Sequence, residues 1–209
     1  MTLDEYIDAH IDAEPARLKA LYRATHMHRL YPRMCTDHAQ GRTLAMLTRM
    51  ISPGRILELG TFSGYSTLCF AEAMPAGCVI DTVEIDTDYT EELEELFSSD
   101  PRGESIFLHT GDAAELIPEL TGRHSYDMVF VDANKRAYPQ YFELLLPALP
   151  SGAFILADNT LWSDKVLDPE ANDAQTEGIR RFNSMVRDCA DVEKIILPVR
   201  DGLSIIRKK

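Results

Sequence analysis

The sequence predicts an α/β fold, a mostly parallel β-sheet with helices on both faces, and three features of the chain predict it. Five short apolar runs alternate with longer stretches of helical periodicity: RILEL (55–59), CVIDTVE (78–84), SIFLHT (105–110), YDMVFV (126–131) and GAFILA (152–157). Such alternation favours parallel pairing, because each crossover helix returns the chain to the same end of the sheet. MVFV and FILA are continuously apolar, the pattern of strands covered on both faces. Finally, VEKIILP and GLSIIRK flank the turn-like VRDG and read as an antiparallel pair that closes the sheet.

Taken in order, the residues before 52 carry no strand signal and read as two or three helices packed over the ligand edge of the sheet. Leu44, Leu47 and Ile51 fall at helical spacing there, as do Ile179, Phe182 and Val186 near the C-terminus. A chain of 209 residues suits one domain with a substantial core. With no internal repeat, low-complexity tract or linker, residues 1–209 read as a single domain: a helical cap over 1–52 and an α/β core over 53–209.

Composition narrows the function classes. A chain that is 45% hydrophobic and 26% charged is an ordinary globular one, and no apolar run reaches the length of a membrane span. The opening MTLDEYIDAHIDAEPARLKAL carries acids and lacks the apolar stretch of a signal peptide, so the expected location is the cytoplasm and no membrane partner is expected. A net charge of −13 opposes non-specific adhesion to nucleic acid or anionic lipid. The acids of EIDTDYTEELEELFSSDPRGE read as a solvated helix face. Cys35, Cys69, Cys78 and Cys189 form no C-x-x-C pair and read as reduced, mostly buried thiols. His26 and His28 lie two apart, on different faces of a helix, and are given no metal role.

Ligands of open α/β sheets bind beyond the carboxyl ends of the strands. Glu58, Gly60, Glu84, Gly111, Asp112, Asp132, Asp158 and Asn159 all stand at such ends. The first turn, ELGTFSGYS, lacks the G-x-G-x-x-G spacing of dinucleotide folds. Gly60 would let the backbone approach a ligand, and Ser66 would open a helix whose N-terminus favours an anion. An ordinary strand-to-helix turn explains the same residues. Glu84 suits a pair of ribose hydroxyls but reads equally as a solvent-facing acid, and Asp112 reads equally as a helix N-cap. Asp132, Asp158 and Asn159 are harder to dismiss. Two carboxylates and an amide oxygen form a hard set suited to a magnesium-like cation, and two acids on neighbouring strand ends repel unless a cation or proton lies between them. Lys135 could be that partner in a purely structural ion pair. Tyr138, Tyr141 and Trp162 read as an aromatic slot or as core.

The blocks LELGTFSGYSTL, VEID, GDA, VFVDANKRAYPQYFE, ADNTLW and LPVRDGL resemble the cation-dependent O-methyltransferases, which include catechol and caffeoyl-coenzyme A O-methyltransferases and small bacterial relatives. The likeness runs from about Met34 to the C-terminus. It implies the Rossmann-like fold of class I S-adenosylmethionine-dependent methyltransferases, with seven strands in the order 3-2-1-4-5-7-6 and strand 7 antiparallel. It also implies S-adenosylmethionine as donor, a divalent cation (Mg2+, or Mn2+ or Ca2+), a small phenolic acceptor with adjacent hydroxyls, and a homodimer. By position, Glu58 would hold the donor's ammonium beside Gly60, Ser66 its carboxylate, and Glu84 its ribose. Asp112 and Ala113 would border the adenine, and the backbone of Thr36 would contact the methionine part. Asp132, Asp158 and Asn159 would hold the metal, with Asp132 also near the donor. Lys135 would be the general base, and Met34, Tyr138 and Trp162 would line the acceptor.

The chain departs from the family pattern in two places. In DANKRAY, Asn134 stands for a second acid and Ala137 for an asparagine. Neither belongs to the implied metal set, so acceptor shape is what they put in doubt. After Trp162, Asp164, Asp168, Glu170, Asp173 and Glu177 make an acidic rim expected to repel coenzyme A phosphates and favour a small free phenol. Three rival readings remain. One is a tRNA 5-hydroxyuridine methyltransferase using a patch of Arg23, Arg29, Arg33, Arg42 and Arg49, against which the net charge weighs. Another is a non-catalytic S-adenosylmethionine-binding module, against which an intact Lys135 and metal set weigh. The last is a nicotinamide dehydrogenase, opposed by the missing glycine and by that same metal set.

Overall fold

A computed structural model describes residues 1–209 apart from the side chain of Asp4. Its centre is one seven-stranded sheet: β1 (Arg55–Leu59), β2 (Val79–Glu84), β3 (Ile106–Thr110), β4 (Met128–Val131), β5 (Phe154–Ala157), β6 (Val192–Leu197) and β7 (Leu203–Lys208). The spatial order is β3-β2-β1-β4-β5-β7-β6. The first five strands pair in parallel, and β7 runs antiparallel to both β5 and β6. The strand order reverses between β1 and β4, and that switch point opens a crevice at their carboxyl ends.

Four strands start one or two residues later than their apolar runs predict, because local turns take the leading residues. Gly152 turns the chain at φ 89° before β5, Ser105 ends a 3-10 turn before β3, and Asp127 accepts the Gly54 and Arg55 N–H groups at 2.7 and 3.1 Å before β4.

Three helices precede the sheet: α1 (Leu3–Asp8), α2 (Ala16–His28) and α3 (His38–Ile51). The others are α4 (Tyr65–Ala73), α5 (Thr90–Ser98), α6 (Ala113–Arg123), α7 (Tyr138–Ala148) and α8 (Ala174–Asp188). Because side chains alternate across a strand, the sheet feeds two cores. Leu57, Leu59, Val129 and Val131 pack with Ile117, Leu145, Ile179 and Phe182 of α6, α7 and α8. Ile56, Met128, Phe130 and Leu156 pack with Leu44, Leu68 and Leu93 of α3, α4 and α5. The two layers hold β1 and β4 rigid where their ends must converge. The N-terminal helices are anchored by polar contacts: Arg17 donates to Asp100 at 2.5 Å and the Leu96 carbonyl at 2.6 Å, and Tyr65 donates to Glu14 at 2.8 Å. No helix among the described residues is long and apolar enough to cross a membrane.

Candidate active site

Where β1 ends, Gly60 turns at φ 100°, and a Cβ there would overlap the Asp132 backbone carbonyl. Only glycine lets the first turn lie this close to the end of β4. Glu58, one residue before the strand's last, is fully buried. Its carboxylate accepts from Ser66 (2.5 Å), Thr67 (2.5 Å) and Thr82 (2.6 Å). Burial raises its pKa to about 7 despite those three hydroxyls, and the charge of Asp132 adds to the rise. Ser66 stands in the first turn of α4, whose N-cap is Gly64. The narrow gap of about 10 Å³ lined by Thr36, Gly60, Ser66 and Asp132 has Met34, itself 58% exposed, at its rim.

Glu84, at the end of β2, is also buried. One oxygen accepts the Phe62 N–H at 2.6 Å and the other the Asp86 N–H at 2.9 Å, so it is not the solvent-facing acid that the sequence left open. Each oxygen keeps a lone pair for another donor. Asp112 caps α6 by accepting the Ala114 N–H at 2.7 Å, and Ala113 is buried beneath it.

The ends of β4 and β5 bring Asp132, Lys135 and Asp158 together. Lys135 opens a 3-10 turn (Lys135–Ala137) capped by Asn134, and is only 7% exposed. Its Nζ donates to Asp132 at 2.6 Å and to the Tyr138 hydroxyl at 2.7 Å. Tyr138 in turn donates to the carbonyls of Val131 (2.9 Å) and Asp158 (3.2 Å). Burial first, then Asp132 and Asp158, raise the tyrosine pKa well above its ordinary value, so it remains a protonated support for the lysine. Asp158 is 2% exposed, and its Oδ1 is buried with no hydrogen-bond partner. Burial, with the charge of Asp132, raises its pKa to about 6, while Lys135 and Gln40 pull it back. Asn159 follows in the left-handed region at φ 58°, a conformation asparagine tolerates.

This donor set fits a divalent cation. A buried, unpartnered carboxylate oxygen beside a second carboxylate is costly unless a positive charge meets it. No group of three or more His, Cys, Asp or Glu gathers to hold a metal among the described residues. The set implied by the sequence has two acids and would take its third donor from the Asn159 amide.

The acceptor residues fall out differently. Tyr138 is fully buried and Tyr141 nearly so; both belong to the core and face no open slot, because the ring of Tyr138 is needed behind Lys135. Trp162 packs partly buried against the same core, at φ 51°, with its indole N–H buried and unpartnered. The open space is a cleft of about 1410 Å³ lined by α1, α3, the 159–164 loop and the β6–β7 turn. Of the five acids after Trp162, only Asp164 lines it. Asp173 caps α8 and Glu177 pairs with Arg180. Arg33 and Arg200 line the same cleft, so its wall is mixed in sign and not the acidic rim expected.

Of the five arginines proposed for RNA, Arg33, Arg42 and Arg49 line this cleft together. Arg29 is buried, stacked 3.4 Å over Tyr89 and paired with Glu92, while Arg42 and Arg49 share Glu72.

Several residues of the site carry little signal in the sequence. Thr67 and Thr82 serve Glu58 but read only as strand and helix positions. Gly178 of α8 lies so close to the lysine turn that a Cβ would overlap the Lys135 carbonyl and sit 2.7 Å from the Arg136 Cα. We therefore expect Gly178→Ala to shift that turn and cut turnover about ten-fold or more, given that small misplacements of catalytic groups are expensive, while donor affinity measured by calorimetry holds.

Sheet order, first turn and strand-end acids together define a class I methyltransferase. The solved structures bear this out. The O-methyltransferase TomG from Streptomyces achromogenes, in complex with SAM, is 30% identical with a TM-score of 0.88, covering 99% of this chain and 96% of that one. The Bacillus cereus O-methyltransferase in complex with SAH is 25% identical with a TM-score of 0.91, covering 99% and 97%. The O-methyltransferase family model matches residues 8–209. The chain belongs to that family and is an S-adenosylmethionine-dependent O-methyltransferase. It is similar to a catechol O-methyltransferase of Niastella koreensis, 33% identical over 168 residues (79% of this chain, 76% of the relative). It is similar also to a caffeoyl-CoA O-methyltransferase of Stellaria longipes, 32% identical over 205 residues (93% and 84%).

Proposed function

We propose that the enzyme methylates one hydroxyl of a small ortho-dihydroxy aromatic and depends on a divalent cation held by Asp132, Asp158 and Asn159. The observation that carries the proposal is the unpartnered, buried Oδ1 of Asp158 beside Asp132, with Lys135 paired to Asp132. When bound, such a cation would acidify and orient a chelating hydroxyl. S-adenosylmethionine would supply the methyl group as an electrophile on a cationic sulfur.

The remaining work belongs to the chain. Glu58, whose pKa stands near 7 in its buried hydroxyl cage, ionises to receive the donor's ammonium. Ser66 and the Thr36 backbone orient the methionine end, and Gly60 lets the first turn close on it. Glu84 keeps one free lone pair on each oxygen for the ribose hydroxyls, and Asp112 and Ala113 border the adenine. Lys135 Nζ, fixed between Asp132 and Tyr138, must enter the step as the neutral amine; it then takes the acceptor's proton and becomes an ammonium paired with Asp132. Met34 and Trp162 flank the acceptor. Holding acceptor oxygen and methyl in line supplies much of the acceleration.

The test is to incubate the protein with S-adenosylmethionine and caffeate, with magnesium or with EDTA, and weigh the product. Methylated caffeate that disappears with EDTA is the expected result. Product that persists in EDTA overturns the cation, and a caffeoyl-coenzyme A ester turned over as fast as free caffeate overturns the preference for a small phenol. Tight donor binding without product on either phenol would favour the tRNA reading.

A further inference from the structure

Gln40 stands in the first turn of α3 and is completely buried. Its side-chain oxygen accepts from Arg200 Nη1 at 2.5 Å. A guanidinium can only donate, so this contact fixes which way the amide faces: carbonyl toward Arg200, NH2 away from it. That Nε2 is buried and has no partner, and the same is true of Asp158 Oδ1. Gln40 acts on Asp158 as a hydrogen-bond donor would, and Nε2, left free by Arg200, is the one donor its side chain has for that purpose.

Arg200 is itself held in place from several sides. It sits in the turn between β6 and β7 at φ 47°, a left-handed conformation that is strained for a non-glycine residue. Its Nε pairs with Asp37 at 3.0 Å, and Nη1 also reaches the Cys35 carbonyl at 3.4 Å. The same turn accepts the Thr160 N–H on the Gly202 carbonyl at 3.0 Å and the Leu161 N–H on the Asp201 carbonyl at 2.9 Å. The segment that follows Asp158 and Asn159 is therefore fastened to the turn that orients Gln40.

We propose that Gln40, locked in one orientation by Arg200, is a positioning residue that presents Asp158 to the divalent cation. The proposal rests on the cation reading above. A neutral amide suits this role, because it steadies a carboxylate without bringing a positive charge that would compete with the metal. Partners of this kind, one step behind the ligands, set affinity by fixing ligand orientation.

The test is manganese binding by calorimetry on the full chain, with S-adenosylmethionine affinity and melting temperature measured alongside. Gln40→Leu should weaken manganese affinity about 10–100-fold and leave donor affinity nearly unchanged. Arg200→Gly is the second variant, because glycine accepts φ 47° without steric cost while the hold on Gln40 is lost. It should weaken manganese binding in the same direction, and Arg200→Lys should restore part of it. Unchanged manganese affinity in both Gln40→Leu and Arg200→Gly, with the wild type binding normally, overturns the positioning role and leaves the cation reading standing. A wild type that binds no manganese overturns the cation reading, and the positioning role with it.

Discussion

Replacing Lys135 with alanine should lower turnover about 10²–10⁴-fold, the usual worth of a placed general base, while S-adenosylmethionine binds almost as before. The size of the effect follows from how completely the lysine is committed. It is 7% exposed, and its ammonium lies 2.6 Å from Asp132 and 2.7 Å from the Tyr138 hydroxyl. No other lysine or histidine pairs with Asp132 among the described residues, so none stands ready to replace it. Donor affinity is expected to survive because Glu58, Ser66 and Glu84 hang on β1, α4 and β2, and none of them contacts Lys135 among the described hydrogen bonds. Single-turnover methylation and donor calorimetry on the same preparation check both halves. A fall of less than ten-fold would return Lys135 to the bland alternative, an ion-pair partner that merely neutralises Asp132.

Strand order and site were legible in the sequence to different depths, for physical reasons. The strands announced themselves because burial on both faces demands continuous apolar runs, as in MVFV and FILA. The blocks at their ends then carried the resemblance, and with it the order and the antiparallel last strand. Asp132, Asp158 and Lys135 were visible because charge at a strand end needs a reason, and the fold brings all three together. Gln40 and Arg200 were not. One lies within an amphipathic helix and the other within a turn, and only tertiary packing brings them together, 160 residues apart in sequence. For Tyr138 the sequence left slot and core open for a related reason, and the ring lies in the core. An aromatic next to a catalytic turn can face the ligand or the core, and the sequence carries no sign of which. The acidic segment after Trp162 misled in a similar way, since spacing alone does not reveal that Asp173 is consumed by a helix cap and Glu177 by Arg180.

Asp158→Ala should abolish both activity and the response to divalent cations, and it should do so without weakening the metal-free fold. A buried carboxylate usually stabilises through its partners, and its loss then costs stability. Asp158 is different. Its Oδ1 has no hydrogen-bond partner, and burial together with the charge of Asp132 outweighs the opposing pull of Lys135 and Gln40, raising its pKa from 3.8 to about 6. The sign of the pH effect follows from that direction. A carboxyl whose folded pKa lies above its unfolded one binds more protons when folded, so its contribution to stability is complete below the unfolded value and is lost as pH rises through the folded one. Without metal, the wild type should therefore lose stability relative to Asp158→Ala as pH climbs from near 3.8 to about 6, and the difference between their melting temperatures should level off above that. Added manganese should reverse the order by raising the melting temperature of the wild type alone, since a ligand stabilises only the fold that binds it. An Asp158→Ala protein that keeps full, EDTA-sensitive activity would move the cation away from the β4–β5 strand ends. One that melts well below the metal-free wild type at neutral pH would mean that the attraction of Lys135 and Gln40 outweighs the cost of burying this carboxylate beside Asp132.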